Sequence, residues 1–78
     1  MAPTPDIAPA MALLTHSCAR PTADATPAEQ ALWLREHADL RERLAATPGV
    51  DRVLGDEMRA LATADRDQAH LIVAAGVS

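Results

Sequence analysis

Two of the three Thr-Pro dipeptides, Thr26-Pro27 and Thr47-Pro48, divide the chain, and no proline follows Pro48. Proline fits the first turn of a helix but not its interior, where it removes a hydrogen bond and clashes with the preceding turn. The dipeptides therefore bracket two long stretches free to run as helices, 27–46 and 50–75. The remaining four prolines, Pro3, Pro5, Pro9 and Pro21, all fall within residues 1–26.

The first stretch opens with a strong start signal. Thr26 is placed to cap, Pro27 occupies the first helical position, and Glu29 stands three residues past the cap, as in a capping box. Trp33, His37, Leu40 and Leu44 follow at steps of four, three and four, which places them on one stripe. On the opposite side Arg35, Asp39 and Arg43 form i,i+4 ion pairs, worth a few tenths of a kcal/mol each and marking a wet face. Pro48 and Gly49 then stop the helix.

The second stretch begins around Val50 or Asp51. At about 100° per residue, Val53, Leu54, Met58, Leu61, Leu71 and Ile72 share a broad face. Arg52, Arg59, Arg66 and His70 line the other side. The expected packing surface is the large-aliphatic face, with Val73 left out of it, about 100° away beside Ala62 and Ala69. Asp65 and Gln68 repeat a capping pattern, but a continuous helix is the expectation, closed by Gly76 in the left-handed conformation with Val77 folding back on Ile72.

The short link between the stretches makes their helices antiparallel neighbours. The fold class is thus all-α: an antiparallel helical hairpin, with or without a short third helix over 9–19, completing a helical bundle by dimerisation or partner binding. Residues 1–26 read as a Pro-rich, largely flexible segment and 27–78 as the hairpin domain.

Composition explains why a partner is expected. Hydrophobic residues make up 49% of the chain, but 18 of its 78 residues are alanine, and Trp33 is its one aromatic. Alanine favours helix and supplies little core volume. Small cores of this kind usually need a staple, a metal or a second chain. Cys18 is alone, which excludes an internal disulfide and fits a reducing compartment.

Several function classes are disfavoured. The net charge is −4, with acids and arginines interspersed, which argues against nucleic acid and against an anionic membrane. Residues 69–78 resemble the first helix and turn of a helix-turn-helix, yet no recognition helix follows. The apolar run from Ile7 to Leu14 has Asp6 before it and Pro9 inside it, unlike an export signal. No run reaches the roughly 20 apolar residues of a membrane span. No glycine-rich loop or activated nucleophile is recognisable, so catalysis by this chain alone is not expected.

The leading expectation is a small cytoplasmic helical interaction module, an accessory subunit or adaptor, acting as a homodimer or with a larger protein and needing no cofactor. Its candidate contact residues are Trp33, His37, Leu40, Leu44, Leu54, Leu61, Leu71 and Ile72, large anchors of the kind that carry interface energy. The alternative is a small bundle that binds a metal or small ligand through His37, with Asp67 and His70 contributing.

Overall fold

A computed structural model describes residues 6–76 and contains three helices: α1 (Ala8–Cys18), α2 (Pro27–Ala45) and α3 (Arg52–Gly76). Among the described residues there is no strand. The start of α2 follows the expected chemistry, since the Glu29 backbone N–H donates to the Thr26 hydroxyl at 3.1 Å and Pro27 occupies the first turn. Asp51 caps α3, its Oδ2 accepting from the amides of Val53 at 3.1 Å and Leu54 at 3.2 Å. Between the helices Gly49 has φ 89°, a left-handed conformation that glycine enters without a Cβ penalty. The helix continues through Asp65 without a break.

Helices α2 and α3 lie side by side in opposite senses. Near the connector a Cβ built on Gly55 would meet the Ala45 carbonyl oxygen at 3.6 Å, and at the far end one on Gly76 would lie 3.0 Å from Pro27 ring carbons. The surface between them is built from the smallest residues available. Ala31, Ala38, Ala62 and Ala69 are 0% exposed and Gly55 is buried. They recur every seven residues, as Ala31 and Ala38 on α2 and as Gly55, Ala62 and Ala69 on α3, with Ala45 and Gly76 continuing the two series. A repeat of seven keeps one seam facing the neighbour along both helices.

This seam corrects the expected packing surface. Leu54 and Leu61 are 40% and 42% exposed and Leu71 is 63% exposed, while Val73, excluded from the expected stripe, is half-buried next to the seam positions Ala62 and Ala69. The physical reason is backbone proximity. Small side chains let two helices approach closely, so the alanine and glycine faces meet and the leucines are displaced to the flanks. No large side chain among the described residues is fully buried. Gly76 is corrected too: it remains helical without a positive φ, and its service is the close approach to Pro27. Val77, which was expected to fold back on Ile72, lies outside the described residues.

One face of the pair is polar. Arg66 Nη2 donates to Asp39 Oδ1 at 2.8 Å, and its Nη1 and Nη2 donate to the two Glu42 carboxylate oxygens at 2.8 and 2.9 Å. The expected partners of Asp39 within α2, Arg35 and Arg43, make no ion pair with it, because α3 brings Arg66 across the seam. The guanidinium holds the Glu42 carboxyl below the usual glutamate range, chiefly through those hydrogen bonds, and is itself held in its charged form. Glu42 is exposed and Arg66 partly so, and such pairs contribute little to stability. They orient the helices more than they hold them.

Candidate functional site

Helix α1 packs on α2 alone. Its inner side carries Pro9, Leu13 and His16 at steps of four and three, with Pro9 buried and Leu13 and His16 partly covered. The same spacing continues to Arg20, just past the helix end. His16 and Arg20 meet one turn of α2, where Trp33 and His37 stand four residues apart on the same stripe.

There three rings lie in near-parallel planes. The centroid of His16 is 4.7 Å from that of Trp33 and 5.1 Å from that of His37, and Trp33 and His37 are 4.5 Å apart. The Trp33 indole N–H donates to the His16 backbone carbonyl at 3.2 Å, and the Arg20 guanidinium sits 5.2 Å from the Trp33 ring. One edge-on contact links the imidazoles: His16 Nδ1 to His37 Nδ1 at 2.8 Å. His16 Nε2 reaches Glu36 Oε2 at 3.3 Å.

Proton positions follow from chemistry. A carboxylate only accepts, so His16 Nε2 carries the hydrogen that faces Glu36. When His16 is neutral its Nδ1 is therefore bare, and His37 donates Nδ1–H to it; when His16 is protonated the donation reverses. Two imidazolium rings would set two N–H donors against each other at 2.8 Å. In this geometry the contact is a hydrogen bond only while one of the two facing nitrogens is bare.

His37 is 5% exposed, and its proton affinity is shifted accordingly. Burial lowers its pKa below 6.5, Arg41 lowers it further, Asp65 opposes them, and His16 and Arg20 add smaller depressions. Arg41 Nη1 is 3.3 Å from Asp65 Oδ2, near enough for an ion pair, yet that buried oxygen receives no hydrogen bond. The local electrostatics thus favour a neutral His37.

The candidate residues separate into three groups. Trp33 and His37 meet α1, and His37 is enclosed by it. Leu40, Leu44 and Ile72 are partly covered, whereas Leu54, Leu61 and Leu71 stand exposed. His70 lies about 140° around α3 from Asp65, whose charge acts on His37, and Asp67 about 200° around, so neither is brought to the histidine pair. Among the described residues no group of three His, Cys, Asp or Glu side chains is arranged to hold a metal ion, and no Ser, Thr or Cys side chain is hydrogen-bonded to either imidazole. His16, Glu36 and Arg20 were not among the expected site residues; for His16 and Arg20 the signal was the steps of four, three and four through Pro9, Leu13, His16 and Arg20, and no spacing marked Glu36.

No family model, no curated protein and no solved structure matches the chain. No helix among the described residues is long and apolar enough to cross a membrane.

Proposed function

We propose that the protein is a small helical interaction module, an accessory subunit or adaptor without catalytic activity of its own, in which α2 and α3 form a hairpin that completes a bundle with a second copy of the chain. The observation that carries this reading is the inversion of the packing: alanines fill the seam while Leu54, Leu61 and Leu71 point outward. Rotating about 100° per residue from the seam, Leu54, Leu61 and Ile72 lie on the same flank of α3 as Asp65, which pairs with Arg41 of α2. Leu40 and Leu44 lie on the matching flank of α2. They form an apolar face opposite the Arg66, Asp39 and Glu42 face.

A second copy is the simplest occupant, because a two-fold arrangement would let one self-complementary patch close on itself.

Light scattering coupled to size exclusion tests this reading. A dimer that Leu61→Glu converts to a helical monomer supports it. A wild-type monomer at micromolar concentration overturns the second copy as occupant and transfers the face to a larger protein partner.

A further inference from the structure

We propose that the cleft between the α1–α2 connector and the open ends of α2 and α3 binds a small organic carboxylate with an apolar body. The cleft has a volume of about 390 Å³, within the roughly 300–1,000 Å³ range of small-molecule sites. Three parts of the chain build it: Arg20 and Pro21 from the connector, Trp33 and Leu34 from α2, and Ile72 from α3. Gln30 and Gln68 supply side-chain amides from the two helices.

Charge selects the ligand's sign. The chain has 11 acidic residues against 7 arginines, yet no Asp or Glu lines the cleft and Arg20 does. Arg41, Arg59 and Arg66 each have a carboxylate partner; Arg20, like Arg35, Arg43 and Arg52, has none among the described residues, and of these four it is the one that lines the cleft. Its planar fork, placed over the Trp33 ring, matches a carboxylate in two parallel hydrogen bonds. A single cation suits a monoanion.

The remaining walls set the body of the ligand. Trp33 spends its one N–H on the His16 carbonyl, so it offers the cleft only its ring. Leu34, Ile72 and Pro21 extend that apolar lining. Gln30 directs one amide N–H to the Ala25 carbonyl at 3.0 Å, keeping its second N–H for other use. Gln68 makes no hydrogen bond among the described residues. An aryl or short alkyl acid satisfies these walls: carboxylate on Arg20, hydrocarbon against Trp33, Leu34 and Ile72, and the amides available to the outer oxygen. This site shares Ile72 with the apolar face proposed above but stands at the opposite end of the α2–α3 pair from Leu54, and its test turns on Arg20, which that face does not include, so the two proposals fail distinguishably.

Trp33 is the one tryptophan, so its indole N–H gives a single assigned signal in a ¹H–¹⁵N spectrum, from a ring that lines this cleft. The probes are 4-phenylbutyrate, its uncharged amide and inorganic phosphate, titrated at neutral pH, with calorimetry for affinity. The expected result is a saturable Trp33 shift with the carboxylate, affinity at least about tenfold weaker for the amide, and no Trp33 shift with phosphate alone. Arg20→Gln should bring the carboxylate down to the level of the amide with circular dichroism unchanged, and Arg20→Lys should retain part of the preference. Equal binding of acid and amide, an undiminished affinity in Arg20→Gln, or no saturable shift at millimolar carboxylate would each overturn the proposal.

Discussion

Helix α2 meets its two neighbours by opposite means. Toward α3 it presents Ala31 and Ala38, which have almost no side chain, and toward α1 it presents Trp33 and His37, which are bulky, planar and polar. The first contact repeats along the whole helix. The second is concentrated in one turn, where stacking, the Trp33–His16 hydrogen bond and the imidazole pair all coincide. A repeated seam distributes its energy over many weak contacts and contains nothing that titrates. A single cluster depends on each member and on the number of protons it holds. The alanine seam between α2 and α3 thus carries no titrating group of its own, its ion pairs lying on the flanks, whereas the α1 junction has a buried histidine at its centre.

The largest effect expected from breaking this contrast is on the seam. Ala38→Leu inserts three carbons where exposure is 0%, and overpacking of this kind typically costs about 1–3 kcal/mol or more. Urea unfolding followed by circular dichroism should show loss of α2 and α3 together, at a clearly lower midpoint. Trp33→Ala should come next. It removes the platform under His16 and Arg20, with a cost of about 2 kcal/mol, below the range for a fully buried tryptophan because Trp33 is only partly buried. Hydrogen exchange should show α1 amides losing protection while those of Ala62 and Ala69 keep theirs.

Acidification sharpens the contrast without any substitution. His37 binds its proton less readily in the fold than its ordinary pKa of 6.5 implies, so below that pH the unfolded chain holds more protons than the folded one and stability falls as pH falls. The loss begins near pH 6.5 and continues down through the lowered value. The Nδ1 to Nδ1 contact directs it to the α1 junction. Trp33 emission should change over that window and α1 protection should drop, whereas His37→Gln should flatten this part of the profile. The smallest effect is expected at Gly55, where an added Cβ meets only ordinary contacts at 3.6 Å. Gly55→Ala should leave the melting midpoint unchanged or raise it, by up to about 1 kcal/mol of helix propensity.

Helix boundaries were readable in the sequence because capping chemistry is local: Thr26, Pro27 and Glu29 act within one turn, and Pro48 and Gly49 act on their own backbone. The packing face was harder to read, because hydrophobic periodicity weights large side chains. The run Leu54, Leu61, Leu71 therefore outranked Gly55, Ala62, Ala69, although the latter has the stricter spacing of seven. Alanine was counted as filler, when its value here lies in letting backbones approach. The histidine pair joins residues 21 positions apart on different helices, so local spacing can mark each histidine but not pair one with the other. His37 was singled out for its place in an apolar stripe, and that place holds because α1 covers it.

The central claim is that the outward leucines belong to association and not to the fold of the single chain. Thermal unfolding of the triple variant Leu54→Glu, Leu61→Glu, Leu71→Glu, compared with the wild type at a dilution where light scattering gives a monomer for both, tests it most directly. The expected result is equal helicity and a melting midpoint within about 0.5 kcal/mol of the wild type, as for surface substitutions. Loss of helicity in the variant at that dilution would mean that the leucines hold α2 and α3 together, and would contradict the alanine seam as the core.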